Sequence, residues 1–251
     1  MGYNAAEQSV IRGALTDRPN WRIEFRDVVA STQDVCKELA RTDAGDHMAL
    51  IASGQTAGRG TRGRDWSQSL HDDVSLSLVL DPRERYPDLL LPFLSAAATH
   101  GCVWGLVDEA RIKWPNDVLV GERKIAGILI ENHGPLWIAG FGINVNRTDF
   151  PPYLADHATS IAAVGEQRVE RARVCASLLT NLADLLEAAE QGLHEETLDR
   201  YHRGLGLVGH EVAVETENEI VRGRLEDIGP DGVTVASRVI PVGLVAAIRE
   251  L

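Results

Sequence analysis

Arg123-Lys124-Ile125-Ala126-Gly127-Ile128-Leu129-Ile130-Glu131, then Asn132-His133-Gly134-Pro135, then Leu136-Trp137-Ile138-Ala139-Gly140-Phe141-Gly142-Ile143 is the stretch that decides the fold. Two apolar, β-prone runs flank a cluster of turn residues, which reads as a hairpin. A hairpin joins antiparallel neighbours, so the sheet is antiparallel or mixed rather than doubly wound and parallel. Outward from this pair, residues 21–29, 48–52, 111–114 and 118–120 read as further strands, and the alternation of Val74-Ser75-Leu76-Ser77-Leu78-Val79-Leu80 predicts a half-buried one. Ser31 opens a predicted helix, with Asp34 at the capping-box distance. Leu90, Leu94, Ala97 and Ala98 recur at helical spacing within 87–107. Val174, Leu178, Leu179, Leu182, Leu185 and Leu186 mark an amphipathic helix, and 193–203 another. Residues 1–20 read as polar and aperiodic. After Gly204-Leu205-Gly206 the chain breaks into short β-rich runs between turns, a pattern that predicts a small barrel of about fifty residues. The division is therefore a mixed-sheet α+β domain over 1–204 and a β module over 205–251.

Composition narrows the function. With 44% apolar and 25% charged residues, 251 residues can bury a sizeable core. A net charge of −12 argues against general nucleic-acid affinity, which needs an extended basic face. Cys36, Cys102 and Cys175 lie far apart, without metal or redox spacing, and read as buried thiols of a reducing cytoplasm. No apolar run reaches the ~18 residues of a membrane helix, and no signal peptide is visible.

Four clusters carry the chemistry. In Gly58-Arg59-Gly60-Thr61-Arg62-Gly63-Arg64-Asp65-Trp66, glycines allow close backbone approach and arginines present planar forks to phosphate or carboxylate. On an acidic protein such a local cation suits a small anion better than a polymer. The bland alternative is a solvated loop. Lys113-Trp114-Pro115-Asn116-Asp117 reads either as a polar turn capping a strand or as a phosphate and metal corner. Lys124 stands at the mouth of an apolar strand, either snorkelling or facing a ligand, and Gly127 leaves room on the same strand. In Gly140-Phe141-Gly142-Ile143-Asn144, two glycines leave space for a flat group and Asn144 can hydrogen-bond a base or ribose; the alternative is a glycine-softened core strand. Walker A and nucleophile-elbow motifs are missing, so a nucleotide would need another architecture than the P-loop.

In order and spacing these clusters resemble the biotin protein ligase family, over roughly residues 22–251. The resemblance implies a catalytic domain like that of class II aminoacyl-tRNA synthetases, followed by an SH3-like barrel. It implies a two-step reaction: biotin's carboxylate attacks the α-phosphate of ATP to give biotinyl-5′-AMP, and a lysine of a biotin carboxyl carrier domain, as in acyl-CoA carboxylase, then takes the biotinyl group. It assigns Arg59, Lys113 and Lys124 to charge stabilisation, Asn116 and Asp117 to the phosphates and Mg²⁺, Ser31, Thr32 and Gln55 to biotin, and Gly127 to the space beside it. Gly58, Gly60, Arg62 and Arg64 complete the loop, Trp66 stacks on adenine and Asn144 reads the base. The chain departs from the family pattern at three places. Thr61 stands for the usual arginine, Gln33 for an asparagine, and Asp73-Val74 for Asn-Leu. Many bacterial members carry an amino-terminal DNA-binding domain; the polar first twenty residues leave no room for one, so a ligase alone, monomeric or dimeric and cytoplasmic, is expected. Competing expectations are a lipoate–protein ligase, which the full loop and the barrel disfavour, a non-catalytic binding module, which the intact lysines disfavour, and an RNA-binding Gly/Arg segment, which the negative charge disfavours.

Overall fold

A computed structural model describes residues 2–42, 46–82 and 85–251. The hairpin of the central stretch forms as β6 (Arg123–His133) and β7 (Leu136–Ile143), closed by a two-residue Gly134-Pro135 turn. Gly134 has φ +64°, the left-handed backbone that glycine adopts without a Cβ clash. Five further strands complete the sheet: β1 (Arg22–Val29), β2 (Met48–Gln55), β3 (Val74–Leu80), β4 (Ala110–Lys113) and β5 (Asp117–Val120). Their order is β1-β2-β3-β7-β6-β5-β4, with β1 and β2 parallel and all other neighbours antiparallel, so the sheet is mixed as expected.

Two layers of helix cover it. α3 (Leu90–Trp104) and α5 (Arg171–Glu190) pack on one face, and α2 (Thr32–Thr42) packs on β2, β3 and β7 from the other. This corrects the half-buried reading of β3, whose seven residues are all buried. Leu76, Leu78 and Leu80 join the main core, while Val79 packs in a second cluster with Cys36 of α2, Met48, Leu50 and Ile138. Alternation marked the two faces correctly, but the second face meets α2 instead of water.

Two helices escaped the sequence reading. α1 (Ala5–Gly13) is started by a capping box: the Asn4 side chain accepts from the backbone N–H of Ala6 and Glu7, and Glu7 accepts from that of Asn4. Its fully buried Ile11 and the neighbouring Tyr3 and Leu15 join the core, and the helix packs on α5. Its apolar set is too sparse to show a period, though Asn-x-x-Glu was there to see. α4 (Ile161–Gly165) is a single turn begun by Ser160.

α6 (His194–Leu205) leads into a second, antiparallel five-stranded sheet in the order β11-β10-β9-β8-β12. Its strands are β8 (Glu211–Thr216), β9 (Ile220–Gly229), β10 (Gly232–Val235), β11 (Arg238–Ile240) and β12 (Val245–Glu250). Trp114, at the end of β4, donates its indole N–H to the carbonyl of Val245 at 3.0 Å and so ties the two sheets together. Among the described residues no helix is long and apolar enough to cross a membrane.

Candidate active site

A cavity of about 730 Å³ opens over the middle of the first sheet, within the size range of small-molecule pockets. Its walls come from the start of α2, the Gly/Arg loop, the turn at Asn116, β6, β7 and the segment after β7. Ser31, Thr32, Gln55, Arg59, Gly60, Arg64, Trp66, Asn116, Asp117, Lys124, Gly127 and Asn144 all line it, although they span more than a hundred positions of sequence. Gly58, Arg62 and Lys113 do not.

Behind one wall runs a relay of polar groups, of which Thr32 and Gln55 line the cavity. Ser77 Oγ donates to Thr32 Oγ1 (2.8 Å), and Thr32 donates both its backbone N–H (2.8 Å) and its hydroxyl (3.0 Å) to Gln55 Oε1. Gln55 Nε2 donates to Ser75 Oγ (3.1 Å), which donates to Gln68 Oε1 (2.6 Å). The relay fixes the three hydroxyl rotors and the Gln55 amide before any ligand arrives. Ser31 Oγ, at the same wall, is buried with no partner. A buried, unpaired hydroxyl costs free energy that a ligand's hydrogen bond would recover. Sequence reasoning missed Ser75, Ser77 and Gln68; the signal for the serines lay in the polar half of the β3 alternation.

Of the cations that line the cavity, Lys124 and Arg59 are paired with carboxylates. Lys124 Nζ lies 2.6 Å from Asp117 Oδ1 and 5.3 Å above the Trp66 ring, within the reach of a cation–π contact. The Lys124 backbone is clamped from outside the sheet: its N–H donates to His157 O (2.8 Å) and its carbonyl accepts from Thr159 N–H (2.9 Å). Arg59 Nη2 donates to Asp34 Oδ1 (2.7 Å) and Glu131 Oε2 (3.0 Å), and Nη1 to Glu131 Oε1 (3.3 Å). The Gly/Arg loop is a short hairpin, closed by an antiparallel bridge between Arg59 and Asp65, with Gly60 N–H donating to Arg64 O (2.7 Å). Arg62 sits at its exposed tip with φ +58°. Gly58 acts from behind: a Cβ there would lie 2.9 Å from the Trp66 carbonyl, so the glycine lets the two arms of the hairpin close.

Lys113 departs from the expected convergence. Along β4, Ala110 and Ile112 turn into the core and Lys113 is exposed at the strand end, outside the cavity lining. Strand alternation puts it out; the cis Trp114–Pro115 turn then brings Asn116 and Asp117 back to the pocket. A further pocket cation was missed. Arg147 lines the pocket at 8% exposure, donating to Ser67 Oγ and O (each 3.2 Å) with its guanidinium 4.6 Å above the Phe150 ring. It lies three residues past Asn144, beyond the motif that drew attention.

The glycine floor is filled by the protein itself. A Cβ on Gly142 would lie 2.4 Å from Trp66 Cε2, and one on Gly127 would meet Lys124 Nζ at 2.8 Å and Trp66 Cζ3 at 2.9 Å. The flat group that these glycines admit is therefore the indole of Trp66, with its N–H buried and unpartnered. Gln33 plays the same part over Gly140, 3.0 Å from where a Cβ would stand.

Asn116 braces its turn, donating Nδ2 to Ile128 O (2.6 Å) while its own carbonyl accepts from Ile128 N–H. Asn144 donates Nδ2 to Thr159 O (2.9 Å) and keeps Oδ1 buried and unpaired, an acceptor suited to an exocyclic amine. The Asp117 carboxylate, expected to hold Mg²⁺, is engaged by Lys124, and among the described residues it gathers no group of further acidic, histidine or cysteine ligands. One carboxylate makes no all-protein cage for magnesium, an ion usually held by one or two carboxylates together with substrate phosphates. The grouping that could hold a metal, Asp46, His47 and Glu190, lies away from the pocket and is bridged by Arg85. The three cysteines are buried thiols, and burial pushes Cys36 and Cys102 up to about 12 and Cys175 to about 11.

Fold and pocket together define a mixed-sheet α+β protein that gathers polar anchors and carboxylate-paired cations around one small-molecule cavity. The profile of the biotin/lipoate A/B protein ligase family matches residues 25–139, and a domain of unknown function matches 201–242. The chain is 35% identical over 185 residues to the bifunctional ligase/repressor BirA of Bacillus subtilis, covering 69% of this chain and 56% of that one. It is 36% identical over 170 residues to the biotin–[acetyl-CoA-carboxylase] ligase of Mycobacterium tuberculosis, covering 62% of each. Its matches thus span little more than half the length of these relatives. The structure of the Aquifex aeolicus biotin protein ligase in complex with biotin and ATP superimposes with a TM-score of 0.79 at 26% identity, over 92% of this chain and 99% of that one. The chain is thus similar to the biotin/lipoate A/B protein ligase family, whose profile it matches over residues 25–139.

Proposed function

We propose that the chain is an ATP-dependent biotin protein ligase. A carboxylate oxygen of biotin attacks the α-phosphorus of ATP, the bond to the β-phosphate breaks, pyrophosphate leaves, and biotinyl-5′-AMP remains. A carrier lysine amine then attacks the anhydride carbonyl, the bond to AMP breaks, and an amide forms as the amine gives up its proton. The observation that carries this reading is the meeting, in one cavity, of the Ser31–Thr32–Gln55 anchors with Lys124 and Arg59. Two anions must approach each other, so the pocket's cations have to exchange their carboxylates for substrate oxygens. Lys124, beside Trp66 and Gly127, is placed for the carboxylate and then the adenylate phosphate. Positioning carries most of such a reaction. Ser31 and the preset Gln55 relay answer the polar ureido end of biotin, and Asn144 Oδ1 answers the adenine amine. We take residues 1–204 as the catalytic unit and 205–251 as an SH3-like module, and the partner as the biotin carboxyl carrier domain of an acyl-CoA carboxylase.

The test is pyrophosphate release with biotin and, separately, with lipoate, followed by mass spectrometry of a purified carrier domain. The expected result is release with biotin and a single biotinyl adduct on the carrier. Release with lipoate alone would overturn the substrate assignment, and binding without release would leave a non-catalytic module.

A further inference from the structure

Arg59 is held at the pocket by two carboxylates. Its guanidinium meets Glu131 through two parallel contacts, Nη1 to Oε1 (3.3 Å) and Nη2 to Oε2 (3.0 Å), and Nη2 also reaches Asp34 (2.7 Å). The carboxylates come from different elements, Asp34 from α2 and Glu131 from β6, while Arg59 comes from the loop hairpin. Glu131 is itself fixed by Lys37 Nζ (3.1 Å) and Gln33 Nε2 (3.0 Å). The two cations and two carboxylates of this cluster balance. Arg59 Nε is buried and unpartnered, on a residue that lines the cavity.

Half-exposed pairs of this kind add little to stability. What the fork-to-fork geometry does supply is direction, since a bidentate carboxylate fixes the plane of a guanidinium. We propose that Glu131, seconded by Asp34, is a positioning residue: it aims Arg59 so that the unpaired Nε edge faces the nucleotide phosphate. The idea rests on the ligase reading given above, and it adds residues outside all four sequence motifs' assigned roles.

The test compares Glu131→Ala, Glu131→Gln and Lys37→Met by biotin-dependent ATP–pyrophosphate exchange and by calorimetric titration with ATP. Glu131→Ala is expected to raise the KM and Kd for ATP by about tenfold or more, with the KM for biotin and the melting temperature little changed. Glu131→Gln, which keeps a carbonyl oxygen for Arg59, should restore most of the ATP affinity, and Lys37→Met, which removes one of the two groups that hold Glu131, should raise the Kd for ATP by less than Glu131→Ala does. Unchanged ATP affinity in Glu131→Ala, or an equal rise for ATP and biotin, overturns the positioning role. A parent chain that exchanges no pyrophosphate overturns the ligase reading instead, while the ATP titration still decides the role of Glu131.

Discussion

Two of the pocket cations are already engaged by carboxylates, Lys124 by Asp117 and Arg59 by Asp34 and Glu131. Pairing keeps partly buried charges solvated within the protein and sets their geometry, at the cost of exchanging partners when substrate binds. Thr61 is the contrasting case. It lines the pocket where the family pattern expects an arginine, and its hydroxyl accepts from Arg64 Nη2 at 3.2 Å. An arginine there would put an uncommitted fork at the rim. Thr61→Arg should slow dissociation of biotinyl-AMP by about tenfold, the effect of one added charge-assisted phosphate contact, measured by stopped-flow chase with excess unlabelled ligand. An off-rate equal to that of the parent chain would show that residue 61 does not face the adenylate.

Among the elements, β3 shows how the site is held. Asp73, immediately before it, is fully buried; Oδ2 accepts from Ser69 N–H (2.8 Å) and Oδ1 from Val145 N–H (3.0 Å), just beyond β7. Burial pushes its carboxyl up to about 6, against the opposing pull of those two N–H groups and Arg147. The fold thus favours the protonated form relative to the unfolded chain, so this group's contribution is complete below about pH 4 and lost as pH rises through about 6. Asp73→Asn carries no proton equilibrium there, though its amide offers one acceptor fewer to the two N–H groups. Relative to that variant, the parent chain should lose on the order of 2 kcal/mol of stability between pH 4 and pH 7, read from urea unfolding at each pH. Parallel stability curves over that interval would show that Asp73 keeps an ordinary pKa.

At the scale of the molecule, the two sheets meet where Trp114 donates to Val245. Trp114 is buried and its ring lies 6.2 Å from Phe93, so the contact belongs to the core between β4 and α3. His202 of α6 adds a second tie, to the carbonyl of Ile228 at 2.6 Å. Trp114→Phe keeps an aromatic ring but strands the Val245 carbonyl, an expected loss of about 1–3 kcal/mol, seen as a lower urea midpoint. An unchanged midpoint would mean that water replaces the indole.

The strands of the first sheet, α2, α3, α5 and the late β module were all legible before any coordinates, because hydrophobic period and turn chemistry are local properties. The hairpin at Gly134-Pro135 needed only two apolar runs and a glycine free to adopt positive φ. Most of the motif residues that line the cavity were legible as ordered clusters as well. Local pattern could not say what each group touches. Whether Lys113 or Arg147 reaches the cavity depends on which way one strand faces and where a distant loop returns. Whether Gly142 admits a ligand or Trp66 depends on a contact across 76 positions of sequence. Those outcomes follow from packing between elements, and packing energies belong to pairs of residues that the linear chain keeps apart.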